Sequence, residues 1–148
     1  MSDDPNLGEI RITRIYHARP EVVFECMTTP EHLTHFWGPT GVTTPVENIT
    51  VEPRPGGKFE TIMVNEANGE EYPMRGVFVD FEPPHTLSWT EADVEGGMMT
   101  HITFRDVGDG TTETQTVQTN VPEMFRTAEA QAGLASSFDK MDAYLMAL

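Results

Sequence analysis

The sequence predicts an α+β domain in which a curved antiparallel β-sheet wraps around one long C-terminal α-helix, with two short helices after the first strand. Between residues 46 and 119, short alternating segments are separated by turn residues, which is typical of an antiparallel meander. An apolar stripe at helical spacing follows it. Because a sheet with one apolar face must bury that face, we expect the long helix to cover it.

The N-terminal part of the chain predicts a tail, a strand and two short helices. Residues 1–8 are predicted to form a flexible acidic tail, and a single domain is expected over residues 9–148. Residues 9–16 are rich in β-branched side chains and predict the first strand. Pro20 suits the first turn of one helix, and Thr29 can cap a second that runs to about Trp37.

The central meander is divided by turn signals such as Asn68-Gly69 and Pro83-Pro84. Its predicted strands are residues 46–52, 58–64, 72–81, 86–91, 98–106 and 111–119. After them, Asn120 is the predicted N-cap of the long helix, with Pro122 in its first turn and Glu123 at the capping-box position. The apolar stripe of this helix includes Met124, Ala128, Gln131, Leu134, Phe138, Met141 and Leu145.

The composition limits the partners and the cellular compartment that can be expected. The formal net charge is −15, from 24 acidic and 9 basic residues, which disfavours nucleic acid and anionic membrane surfaces as partners. The single cysteine, Cys26, excludes an internal disulfide and fits a reducing compartment. With neither an export signal nor a membrane span in the sequence, we expect a cytoplasmic protein, monomeric or homodimeric.

A period of two assigns one face of the sheet to the interior and predicts a cavity there. Threonines lie beside aromatic residues and methionines on this face, where a purely structural core favours Val and Leu. The alternative is that these hydroxyl groups bond to neighbouring residues near a sheet edge. The predicted lining of a cavity for an apolar small molecule is Met63, Met74, Phe78, Trp89, Glu91, Ile102 and Thr116, with Trp37 near its mouth.

Several segments resemble one known family in the same order along nearly the whole chain. They are Ile12-Thr13-Arg14-Ile15-Tyr16, Thr29-Pro30-Glu31-His32-Leu33, Phe36-Trp37-Gly38-Pro39, Pro55-Gly56-Gly57-Lys58-Phe59, and Pro83-Pro84-His85-Thr86-Leu87-Ser88-Trp89. The family is the Aha1-like group, bacterial relatives of the C-terminal domain of the activator of Hsp90 ATPase within the START/Bet v 1 superfamily. The resemblance implies a helix-grip fold with a cavity.

The resemblance also bears on ligand and partner. The family's closing helix usually carries a Gly-Trp pair, whereas Leu134 follows Gly133 here. A smaller side chain implies a roomier cavity, so Leu134 joins the predicted ligand-binding residues. Hsp90 is an alternative partner, although the eukaryotic co-chaperone has a second, N-terminal domain with no counterpart in this sequence.

Residues that could perform catalysis or bind metal form no convincing group in the sequence. Glu91 is an inward-facing acid beside Trp89, so a cyclase- or hydrolase-like reaction is a third hypothesis. Its alternative is a solvated position at the end of a strand. His32 and His35 are three residues apart without a third ligand, and we interpret them as surface residues. We therefore predict no catalytic residue, metal site or cofactor, and ligand binding is the preferred hypothesis.

Overall fold

The computed structural model describes residues 7–148, which form an eight-stranded sheet and three α-helices. The strands are β1 (Leu7–Tyr16), β2 (Val42–Thr43), β3 (Ile49–Val51), β4 (Lys58–Asn65), β5 (Glu71–Glu82), β6 (Thr86–Glu91), β7 (Met99–Gly108) and β8 (Thr111–Pro122). The helices are α1 (Pro20–Thr28), α2 (Pro30–Leu33) and α3 (Ala128–Met146). Among these residues, no helix is long and apolar enough to cross a membrane.

The sheet is antiparallel throughout and confirms the predicted α+β helix-grip class. Its strand order is β1-β8-β7-β6-β5-β4-β2, and β3 also pairs with β4. Strands β4 to β8 form the meander, and β1 joins its far edge by pairing with β8. The two short helices follow β1 as predicted, and α3 follows the last strand.

The predicted start of the long helix is wrong. Asn120 lies within β8 with a φ of 55°, and Val121 is fully buried while pairing with Gly8 of β1. Burial of Val121 and its pairing with β1 extend the strand past the apparent capping box. A short 3₁₀ turn, Glu123–Phe125, follows, and α3 starts only after Thr127, whose side chain accepts a hydrogen bond from the Ala130 N–H at 3.1 Å.

Other predicted boundaries shift by a few residues. Strand β1 begins at Leu7, so residues 7 and 8 of the predicted tail belong to the sheet; residues 1–6 lie outside the described part of the chain. Helix α2 ends at Leu33, and turns continue the chain to Trp37, whose N–H donates to the Leu33 carbonyl at 2.9 Å. A 3₁₀ turn, Val46–Asn48, occupies the start of the predicted strand 46–52.

The inner face of the sheet agrees with the assignment made from period two. Its buried residues in β4 to β8 include Phe59, Thr61, Phe78, Leu87, Trp89, Thr100, Ile102, Phe104, Thr112, Thr114 and Thr116. At one end of this face, the ring of Phe24 from α1 packs against Phe81 and Phe104 at centroid distances of 5.3 and 5.2 Å. That end is a filled aromatic core.

Candidate functional site: a cavity between the sheet and the C-terminal helix

The other end of the inner face is not filled. Between it and the N-terminal half of α3 lies a cavity of about 540 Å³, which is in the range of small-molecule sites. Strands β1 and β4 to β8 supply its floor, the loop after α2 supplies one side, and α3 supplies the roof. The residues around the cavity are mostly apolar.

The cavity exists because α3 presents small side chains to this part of the sheet. Ala130, Gly133, Leu134 and Ser137 form much of the roof. A Cβ atom added at Gly133 meets only Pro39, at 3.6 Å, so the space next to the glycine is open. The alanine, glycine and serine side chains leave space between α3 and the sheet unfilled, although Leu134 and Phe138 of the same helix also line it.

Both tryptophans of the chain lie in the wall of the cavity. The ring centroids of Trp37 and Trp89 are 6.2 Å apart, and each packs against Phe59, at 5.3 and 4.9 Å. The indole N–H of Trp37 donates to the Thr61 hydroxyl at 3.2 Å. This bond and the ring contacts fix Trp37 at the side of the cavity.

Four methionines, Met27, Met63, Met74 and Met98, complete the apolar part of the lining. Methionine side chains are unbranched and polarisable, so they adapt to ligands of different shape. A wall with this composition can bind apolar ligands of different shapes. It therefore suits an apolar or aromatic ligand without naming one.

The threonines of the inner face divide into two groups. The Thr112 hydroxyl donates to the Ala18 carbonyl at 2.7 Å, and that of Thr114 donates to the Arg14 carbonyl at 3.5 Å. For these two, the alternative reading of bonded structural hydroxyls is correct. Thr116 lines the cavity, and its hydroxyl has no hydrogen-bond partner among residues 7–148. It can bond to a group that enters the cavity.

The remaining polar atoms of the floor belong to one pair. The amide nitrogen of Gln118 donates to the Thr100 hydroxyl at 3.2 Å, and both residues line the cavity. Together with the hydroxyl of Thr116 on the same strand as Gln118, they form a small polar patch of uncharged groups. Such a patch can orient a ligand through a hydroxyl, carbonyl or amide group.

The structure brings seven of the nine predicted site residues together around the cavity: Trp37, Met63, Met74, Trp89, Ile102, Thr116 and Leu134. Their role in binding stays a prediction. Phe78 is on the correct face but is buried in the filled end, where its ring stacks on Phe59 at 5.2 Å. Glu91 is beside the cavity rather than in its lining, and its Oε1 accepts from the Met98 N–H at 2.9 Å.

Sequence reasoning missed several lining residues. Ile10 follows from the alternation of β1, which puts it on the inner face with Tyr16. Phe125 and Glu129 were not detectable, because the sequence places both inside a continuous helix, whereas a 3₁₀ turn and a new helix start bring them to the rim.

The histidines and the cysteine singled out in the sequence do not line the cavity. His32 is half-buried, not on the surface, and its Nδ1 is 2.5 Å from the Tyr144 hydroxyl oxygen, while the exposed His35 ring stacks on Tyr144. Burial raises the pKa of the Cys26 thiol to about 11, so it is a neutral core group. Residues 7–148 hold no group of three His, Cys, Asp or Glu arranged for a metal ion.

An antiparallel sheet followed by a long C-terminal helix, with an apolar cavity between them, defines a protein of the helix-grip class. Comparison with known families agrees with this. The chain belongs to the family described as activator of Hsp90 ATPase homolog 1-like protein, whose sequence model matches residues 17–146. No curated protein matches the sequence.

Solved structures share the fold at low sequence identity. A protein from Chromobacterium violaceum is 23% identical with a TM-score of 0.82, and the match covers 92% of this chain and 96% of that one. One from Nitrosomonas europaea is 20% identical with a TM-score of 0.81, covering 97% of each chain. The AHSA1 protein from Silicibacter pomeroyi is 20% identical with a TM-score of 0.77, covering 95% of this chain and 99% of that one.

Proposed function

We propose that this protein binds an apolar or aromatic small molecule in the cavity between its sheet and α3. The single observation that supports this most is the cavity itself, about 540 Å³ of space left open next to a packed aromatic core. Protein interiors normally pack to high density, and each unfilled volume costs stability. A ligand that fills this space recovers the lost contacts and removes its own apolar surface from water.

The polar patch on the floor favours a ligand with one uncharged hydrogen-bonding group. Thr116 offers a hydroxyl that has no partner among the described residues, and Gln118 and Thr100 lie on the same floor. A hydroxyl or carbonyl group placed there exchanges its bonds to water for bonds to protein. The apolar part of the ligand then lies against the methionines and tryptophans. The cytoplasm stays the predicted compartment.

The test uses 1-adamantanemethanol, a compact apolar cage with one hydroxyl group and no absorbance that overlaps tryptophan. Because both tryptophans line the cavity, its binding should change the intrinsic fluorescence of the native protein with saturation. Calorimetry at several temperatures should show a negative heat-capacity change, which marks burial of apolar surface.

Failure of all the tested alcohols to bind is also informative. If neither this alcohol nor naphthalene-based alcohols of similar size bind with saturation, the cavity proposal is contradicted. The protein-interaction hypothesis, with Hsp90 as the partner to test by calorimetry, then becomes the better one.

A further inference from the structure

The charge in the lining of the cavity is negative. Glu129 is the one charged side chain among the described residues that line it. It lies in the first turn of α3, two residues after the capping residue Thr127, and it is exposed to solvent. Its carboxylate is therefore at the rim, where a ligand's end group would emerge from the apolar interior.

The neighbouring basic side chains are not part of the lining, although Arg14 and Lys140 each contact a residue that is. The guanidinium of Arg14 is 2.7 Å from the Asp139 carboxylate and lies over the Phe138 ring, 5.6 Å from its centroid. Lys140 donates to the Pro39 carbonyl at 3.4 Å, and the Nε of Arg126 donates to the Val121 carbonyl at 3.2 Å. Among the described residues, the lining of the cavity therefore contains no Lys or Arg.

The N-terminus of a helix attracts anions, so α3 has to be considered as a competing influence. Here the Ala130 N–H already donates to the Thr127 hydroxyl, and Glu129 itself places a negative charge in the first turn. Both features offset the positive end of the helix dipole. The carboxylate of Glu91, beside Met98, adds negative charge near the same cavity.

We propose, building on the proposed function, that the cavity selects by charge. A neutral polar group bonds to the patch on the floor, a cationic end group pairs with Glu129 at the rim, and carboxylate ligands such as fatty acids are excluded. A carboxylate inside the cavity would lose hydration with no cation to replace it. The net charge of −15 acts in the same direction over longer distance.

The experiment compares three probes with the same cage: 1-adamantanemethanol, 1-adamantanemethylamine and 1-adamantanecarboxylate, titrated at pH 7 and followed by tryptophan fluorescence. The amine should bind about two- to fivefold more tightly than the alcohol, as expected for one exposed ion pair. The carboxylate should bind at least about tenfold more weakly than the alcohol. The preference for the amine should decrease as salt increases.

Two matched variants separate Glu129 from the overall charge. Glu129→Gln should abolish the preference for the amine over the alcohol. Asp109→Asn makes the same charge change in the β7–β8 turn, away from the cavity, at a φ of 54° that Asn adopts readily, and it should keep the preference.

The results distinguish this inference from the proposed function. Binding of the alcohol together with equal or tighter binding of the carboxylate overturns the charge selection and leaves the proposed function standing. Equal loss of the amine preference in both variants overturns the role of Glu129. If none of the three probes binds, the proposed function fails and the inference fails with it.

Discussion

The two ends of one sheet face differ in how they are covered. At the closed end, Phe24 of α1 reaches the sheet and packs with Phe81 and Phe104, and Phe59 stacks on Phe78. At the open end, the same face meets the small side chains of α3, including Gly133, and a cavity remains.

This difference shows that the covering helix decides whether an inner face becomes core or cavity. The same strands supply both ends of the inner face: β4 and β5 carry Phe59 and Phe78 at the closed end and Met63 and Met74 at the open end. A phenylalanine from a helix fills the space between layers, whereas a glycine or alanine leaves it open. The function we propose therefore depends on what α3 lacks as much as on what the sheet presents.

The largest expected effect is on stability. Phe78→Ala at the closed end should lower the free energy of unfolding by about 3–5 kcal/mol, because it creates a cavity in a packed aromatic core. Met74→Ala, at the open end, should cost less than about 1.5 kcal/mol, because Met74 already borders empty space. Urea unfolding of both variants measures the difference. Equal costs would contradict the distinction between the two ends.

The next effect is on binding. Leu134→Trp should fill the open end and weaken binding of 1-adamantanemethanol by at least about tenfold, while thermal unfolding stays cooperative. Ala135→Trp adds the same side chain at the neighbouring exposed position of α3 and serves as the control. Unchanged affinity in the Leu134 variant would mean that the probe binds elsewhere.

Smaller effects on stability and binding should distinguish two threonines on β8. Thr112→Val should lower the free energy of unfolding by about 0.5–1.5 kcal/mol, because it removes the bond to the Ala18 carbonyl. Thr116→Val should leave stability nearly unchanged and weaken binding of 1-adamantanemethanol by about two- to tenfold, since it removes the free hydroxyl. The reverse pattern would show that the polar patch is structural.

The sequence predicted well on which face of the sheet a side chain lies, but less well which side chains of that face line the cavity. Alternation assigned Phe59, Phe78 and Trp89 to the same side correctly, because that pattern is a local property of each strand. It could not say that Trp89 lines the cavity whereas its cross-strand partner Phe78 does not, since this depends on what packs above each side chain.

The start of the long helix shows a second limit. Asn120, Pro122 and Glu123 have the spacing of a helix start, yet β8 continues through Val121 because this side chain is buried and pairs with β1. Tertiary pairing therefore overrode a local capping signal. This error also affected the predicted site, because the true helix start brings Glu129 to the rim of the cavity.

The most direct test of the cavity proposal is a methyl NMR titration of the protein labelled with ¹³C at its nine methionine methyl groups. With 1-naphthalenemethanol, whose aromatic rings shift nearby resonances, the methyl signals of Met27, Met63, Met74 and Met98 should move with saturation. Those of the exposed Met124 and Met146 should stay in place. Saturable shifts confined to Met124 and Met146, or no saturable shift at the four cavity methionines, would contradict the account.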